Sequence, residues 1–165
     1  MSITKCFTQP KIIMENAQLV NVAEVQLSFK SKVKPQDRLK VNSSREAYEI
    51  LRGTWNDDNI ELYETFKLLL LNRANKVLGV LTVSQGGVSG TIADPKIIFA
   101  AALKCAASGI IVAHNHPSGN LNPSQADIDL TKKLKECGKF LEIQLLDHLI
   151  CTTERYYSFA DEGLV

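Results

Sequence analysis

An apolar run that ends in two histidines constrains the fold of this chain more than any other feature. Gly109–Ala113 leads directly into His114-Asn115-His116, which holds two of the chain's three histidines. β-Branched residues behind a glycine favour a buried strand. Side chains alternate between the two faces of a strand, so His114 and His116 should share one face while Asn115 points away. Two imidazoles on one face can ligate a single metal ion.

A turn and then a helix are predicted after the histidines. Pro117–Asn120 has turn composition, because proline fixes φ and glycine tolerates positive φ. We expect Asn122 to be the N-cap and Pro123 the first residue of a helix that runs to about Lys139. Gln125 would then close a capping box.

Asp127 falls on the apolar side of that helix, three residues before Leu130. The other apolar positions on this side are Leu134, Cys137 and Leu141. A carboxylate that faces inward is unfavourable without a positive partner, and a Zn²⁺ ion held by His114 and His116 would supply one. Two histidines, one carboxylate and water form an open catalytic zinc set. The alternative is that Ser124-x-x-Asp127 is itself a capping box with no catalytic role.

The spacing of these residues resembles a known motif. His114-x-His116, seven residues and then Ser124-x-x-Asp127 resemble the JAMM motif of JAB/MPN-domain metalloproteins. The narrower likeness is to the bacterial RadC-like branch, over about residues 40 to 165. It rests on the stretches 114–120, 123–127, 146–150 (Leu-Asp-His-Leu-Ile) and 156–159 (Tyr-Tyr-Ser-Phe).

The resemblance implies an α/β fold, with a mixed β-sheet flanked by helices, of the JAB/MPN, cytidine-deaminase-like class. It also implies a zinc-dependent hydrolase, since better-studied eukaryotic and archaeal relatives cleave isopeptide bonds. RadC-like proteins carry a DNA-repair label by naming history. Many have an N-terminal helical domain with helix-hairpin-helix character, for which we find no room here. We expect residues 1–40 to form an N-terminal arm and edge strand, and residues 41–165 to form the RadC-like domain.

The resemblance also assigns roles to two further residues. In that family a glutamate just ahead of a central strand is the general acid/base; Glu64 matches this position, and Glu61 is the alternative. Glu64 would take a proton from the water that zinc activates and return it to the leaving amine. The Ser124 hydroxyl would donate to the oxyanion, an interaction worth about 3 kcal/mol of barrier.

Two other functions compete with a zinc-dependent metallopeptidase or isopeptidase. The first is a metal-stabilised binding module without catalysis, associated with DNA repair or mobile-element proteins. The second, a zinc nucleoside deaminase, is disfavoured because it needs H-x-E and P-C-x-x-C motifs, which the sequence lacks.

In the remaining chain, the residue patterns predict further strands and helices. The predicted elements are an edge strand in 20–30, a helix from Ser43 to about Trp55, paired strands in 61–72 and 76–83, a helix capped by Asp94 that runs to about Ala107, a strand in 142–151 and a closing segment in 156–165. Gly138 is expected to end the third helix. The glycine-rich stretch 85–91 is either a plain turn or a mobile segment near the site. His148 is either a hydrogen-bond partner of a metal ligand or a structural residue of the sheet.

Composition and charge indicate the class of protein and the kinds of partner to expect. With 45% hydrophobic and 22% charged residues in 165, one ordinary globular domain is expected. A net charge of +1 gives no global field to attract nucleic acid, and the basic residues in 30–40 are interpreted as a solvated loop. The scattered cysteines, and the lack of a secretory leader or a membrane span, favour the cytoplasm with reduced thiols. The expected partner is an unidentified peptide or isopeptide substrate; nucleic-acid contact and homodimerisation are left open.

Overall fold

The structure, a computed structural model, describes residues 27–86 and 92–165. Its helices are α1 (Ser44–Arg52), α2 (Pro95–Lys104) and α3 (Gln125–Phe140), with a short 3-10 turn at Pro35–Asp37. Its strands are β1 (Thr65–Leu71), β2 (Val77–Gln85), β3 (Gly109–Asn115), β4 (Gln144–Cys151) and β5 (Tyr156–Ser158).

The five strands form one mixed sheet in the order β2-β1-β3-β4-β5. β3 and β4 are parallel and are connected through α3, whereas the other neighbouring pairs are antiparallel. The predicted α/β class with a mixed sheet and flanking helices is therefore confirmed. The central strands β1 and β3 are buried along their whole length, as strands covered on both faces are.

Each face of the sheet has its own core. On one face α1 packs through Ala47, Tyr48 and Leu51 against the odd-numbered leucines of β1. On the other face Ile98 of α2 and Leu134 of α3 pack against the even-numbered residues of β1 and β3. The predicted apolar side of α3 is confirmed, because Leu130, Cys137 and Leu141 also pack on this second core. The alternation of β3 thus places His114 on the face that α3 covers.

Two predicted segments lie largely outside the described residues, and two predicted helix ends were wrong. The predicted edge strand in 20–30 lies outside the described residues except for 27–30, which are exposed and not in a strand. The glycine-rich stretch also lies outside, from residue 87 to residue 91. α1 and α2 each end three residues earlier than predicted, at Arg52 and Lys104. β5 was not predicted, because three residues are too short to show an alternating pattern.

Within residues 27–86 and 92–165, every helix is too short or too polar to cross a bilayer. The thiols of Cys105, Cys137 and Cys151 are free, and burial raises the pKa of Cys151 to about 12, which keeps that thiol protonated.

Gly138 does not end α3, contrary to the prediction. The helix continues to Phe140, and the chain reverses at Glu142, which adopts a φ of 56°. The glycine is needed because Ile143 folds back on it, and Ile143 N donates to Gly138 O at 2.8 Å. A Cβ on residue 138 would lie 2.3 Å from the carbonyl oxygen of Ile143.

We expect Gly138→Ala to destabilise the protein by about 2–3 kcal/mol, because the added methyl forces β4 away from α3. Chemical denaturation measures this change. Gly79→Ala is the matched control, since nothing lies within 4 Å of its added Cβ, and it should leave stability unchanged or raise it by up to about 1 kcal/mol. Equal stabilities for the two variants would contradict the packing explanation.

Candidate metal centre

The two predicted metal-binding histidines lie at the end of β3 and meet on one face of the sheet. His114 pairs with Phe66 of β1, and His116 follows the last strand residue and donates its backbone N–H to Cys151 O at 3.2 Å. The Nε2 atoms of His114 and His116 are 2.9 Å apart. His114 is buried and His116 is half-buried, so the pair lies at the border between core and solvent.

Asn115, between the histidines, points to the opposite face, as the alternation predicts. Its Oδ1 accepts from Trp55 Nε1 at 3.1 Å and from Thr65 N at 2.8 Å. Its Nδ2 donates to Ile60 O at 2.6 Å and to Tyr63 O at 2.9 Å. The amide is fully satisfied in a buried position and ties the end of β3 to the segment that precedes β1. This role was not predicted, because its partners lie 50 to 60 residues away in sequence.

α3 begins two residues later than predicted. Ser124, not Asn122, is the N-cap: its hydroxyl accepts from Asp127 N at 3.2 Å, and the Asp127 carboxylate accepts from Ser124 N at 2.7 Å. This reciprocal pair fits the first turn better than Gln125 would, so Pro123 stays in the preceding loop. The alternative capping-box interpretation of Ser124-x-x-Asp127 is therefore confirmed as local structure.

The same carboxylate also faces the histidines. Asp127 Oδ1 lies 3.3 Å from His114 Nε2, and Asp127 Oδ2 lies 3.9 Å from His116 Nε2. These three residues form a group that could hold a metal ion. The capping box and the metal group are compatible, because the box holds the carboxylate at the helix end that points to the histidines.

The donor chemistry of the group suits a metal. His116 Nδ1 lies 2.6 Å from Asn120 O, and a carbonyl only accepts, so this nitrogen carries the hydrogen, which in a neutral ring leaves the lone pair on Nε2. The Nε2 atoms of His114 and His116 and the carboxylate oxygens of Asp127 lie 2.9 to 3.9 Å from one another and face a common point. Tetrahedral bonds of about 2.0–2.2 Å to zinc would place such ligand atoms roughly 3.3 Å apart. A bound cation would relieve the repulsion within this cluster.

The protonation state of His114 also favours metal binding. Burial lowers the pKa of His114 to about 4, and the nearby Asp127 carboxylate only partly opposes this shift. His114 is therefore neutral near pH 7, the form that ligates a metal. Burial likewise lowers the pKa of His148 on β4, whose Nε2 lies 2.9 Å from His114 Nδ1.

Glu64 and Ser124 border the same cleft as His116, and Glu61 does not. Phe66 pairs with His114 in the antiparallel register, so Glu64 and His116 follow at the same end of the sheet, where both line one cleft. The cleft has a volume of about 400 Å³. It is lined by Glu64, His116, Pro117, Ser118, Asn120, Asn122, Pro123 and Ser124. Glu61 is exposed and does not line this cleft, so of the two glutamates only Glu64 shares the cleft with His116.

The sequence matches the family described as RadC-like JAB domain over residues 41–164. A UPF0758 protein of Flavobacterium johnsoniae is 46% identical over 125 residues, which are 76% of this chain and 53% of that protein. A UPF0758 protein of Clostridium beijerinckii is 34% identical over 149 residues, 90% of this chain and 64% of that protein. One from Porphyromonas gingivalis is 41% identical over 129 residues, 78% of this chain and 56% of that protein. The chain thus matches between 53% and 64% of the length of these relatives.

Proposed function

We propose that this chain, which belongs to the RadC-like JAB domain family, is a zinc-dependent hydrolase of amide bonds, of the metallopeptidase or isopeptidase type. The observation that carries the proposal is the convergence of His114 Nε2, His116 Nε2 and the Asp127 carboxylate, with Glu64 in the adjoining cleft. His114, His116 and Asp127 would hold a Zn²⁺ ion, which would act as a Lewis acid and lower the pKa of a bound water to about 7.

Glu64 moves the proton in the proposed reaction. Its carboxylate takes one proton from the attacking water as the water oxygen forms a bond to the amide carbon. Glu64 then returns that proton to the amide nitrogen as the carbon–nitrogen bond breaks, which gives a carboxylic acid and an amine. The position of Glu64 suits this role. Its half-buried carboxylate lines the same cleft as His116, so it would lie close to a water and an amide bound there.

Ser124 is proposed to stabilise the oxyanion. Its hydroxyl now donates to Asp127 Oδ2 at 2.6 Å, and this oxygen also accepts from Ser124 N at 2.7 Å. The hydroxyl can therefore turn toward a developing oxyanion while the backbone N–H still supports the carboxylate. One such donor contributes about 3 kcal/mol of transition-state stabilisation.

The cleft favours a substrate segment that is polar but uncharged. Apart from Glu64 and His116, its lining consists of serines, asparagines and prolines. Side-chain amides such as those of Asn120 and Asn122 can pair with the N–H and C=O groups of an extended peptide. This composition agrees with a peptide or isopeptide substrate.

The test is metal-dependent cleavage. Metal-free protein is reloaded with zinc and incubated with peptides from a digested proteome, and separately with a lysine-isopeptide-linked peptide. We expect new termini, detected by mass spectrometry, that disappear with a chelator and return with added zinc but not with magnesium. Failure of the zinc-loaded protein to cleave either substrate class would contradict the proposal.

A further inference from the structure

We infer that His148 and Thr131 form a hydrogen-bond relay that selects the metal-binding tautomer of His114. The relay runs from a backbone carbonyl of α3 through Thr131 and His148 to His114 Nδ1. Both residues are positioning residues, since neither belongs to the metal group itself. The inference rests on the proposed function, in that His114 Nε2 is taken as the ligand atom.

The direction of the relay is fixed at Asp127 O. Thr131 Oγ1 lies 2.6 Å from this carbonyl oxygen, one helical turn earlier, and a carbonyl only accepts hydrogen bonds. The single hydroxyl hydrogen of Thr131 therefore points to Asp127 O. Thr131 Oγ1 also lies 2.7 Å from His148 Nδ1, and in this contact only its lone pair remains. His148 Nδ1 consequently carries a hydrogen and donates it to Thr131.

The tautomer of the buried His148 ring determines the tautomer of His114. His148 is completely buried, with ring centroids 5.8 Å from Phe66 and 4.7 Å from Phe159. A neutral imidazole has one donor and one acceptor nitrogen, so a hydrogen on Nδ1 leaves Nε2 as the acceptor. His114 Nδ1, 2.9 Å away, must then donate. The lone pair of His114 lies on Nε2, the atom that faces His116 and Asp127.

The relay also sets the spacing between ligands from different elements. Thr131 is 1% exposed and joins the first turns of α3, which carry Asp127, to β4. His148 joins β4 to His114 on β3. The carboxylate and the imidazole are therefore held by one chain of buried hydrogen bonds. His116 is outside this relay: its Nδ1 carries a hydrogen because it donates to the carbonyl oxygen of Asn120.

Removal of the Thr131 hydroxyl should move the ring hydrogen of both His148 and His114 from Nδ1 to Nε2. In Thr131→Val, which keeps the shape of the side chain, His148 Nδ1–H has no acceptor in a buried position. The hydrogen is better placed on His148 Nε2, where His114 Nδ1 can accept it. His114 must then carry its own hydrogen on Nε2, which blocks the proposed ligand atom. Thr131→Ser keeps the hydroxyl and should keep the wild-type arrangement.

Nitrogen-15 NMR of the histidine rings in the metal-free protein tests this directly. We expect His114 to carry its hydrogen on Nδ1 in the wild type and in Thr131→Ser, and on Nε2 in Thr131→Val. Competition of zinc with a chromogenic chelator should show an affinity loss of roughly 10–100-fold for Thr131→Val, and less than about threefold for Thr131→Ser.

An unchanged His114 tautomer in folded Thr131→Val would overturn the relay. Should that variant not fold, His148→Phe, which keeps a buried ring but no acceptor, serves in its place; wild-type zinc affinity in that variant would also overturn the inference. The tautomer is measured without metal or substrate. The relay can therefore hold in a protein that fails to hydrolyse amides, and it can fail in one that succeeds, so the two tests are distinguishable.

Discussion

Asp127→Ala is expected to abolish zinc binding, with an affinity loss on the order of a thousandfold or more, which corresponds to about 4 kcal/mol. The substitution removes the only negatively charged member of the group, whose oxygens lie 3.3 and 3.9 Å from the two histidine nitrogens. It also removes the acceptor of Ser124 N, so the capping box is lost and stability should fall by about 1 kcal/mol. Metal content and calorimetric titration with zinc measure the first effect, and denaturation measures the second.

Two matched variants separate these effects. Asp127→Asn keeps a side-chain oxygen that can accept from Ser124 N, so it should retain most of the stability while it still loses zinc affinity. Asp129→Ala removes an exposed carboxylate of the same helix, which accepts a hydrogen bond from Gln125 and lies outside the metal group, and this variant should bind zinc as the wild type does. Wild-type zinc stoichiometry in Asp127→Ala would rule out the ligand set.

Glu64→Gln is expected to keep zinc and lose turnover by about 10²–10⁴-fold. The amide has nearly the shape of the carboxylate but cannot accept the proton of the attacking water. The metal group should be undisturbed, because Glu64 lies in the cleft beside His116 and is not a member of that group. Turnover is measured on whichever peptide or isopeptide the zinc-loaded wild type cleaves, with zinc content determined on the same samples.

Glu61→Gln is the control for this prediction. Glu61 precedes Glu64 by three residues but is exposed and outside the cleft, so its variant should cleave at the wild-type rate. Loss of activity in Glu61→Gln with retention in Glu64→Gln would reverse the assignment. A Glu64→Gln protein that keeps its full biological phenotype would favour the competing function, a metal-stabilised binding module without catalysis.

The centre of the site could be predicted because it depends on local rules. Alternation along a strand puts His114 and His116 on one face, and helical periodicity turns Asp127 toward the same core as Leu130. The prediction failed at the helix start, where Asn122-Pro123 and Ser124-x-x-Asp127 both have the composition of a helix N-terminus. Reciprocal hydrogen bonds between Ser124 and Asp127 decided between them, and such bonds exist only once the turn has formed.

The position of Thr131 on the same side of α3 as Asp127 follows from the sequence, since Thr131 lies one helical turn after Asp127. Nothing local, however, indicates that its hydroxyl contacts His148, which is 17 residues further along the chain. That contact depends on α3 crossing from β3 to the parallel strand β4.

Local periodicity is enough to show which side chains share a face within each element: the two histidines at the end of β3, the carboxylate of α3 and the apolar positions that bury them. It does not show which elements meet. The antiparallel pairing of β1 with β3 brings Glu64 and His116 to one cleft, and the parallel pairing of β3 with β4 brings His148 to His114 across 34 residues. Periodicity is a property of neighbouring residues, whereas strand order and register are set by the packing of the whole sheet.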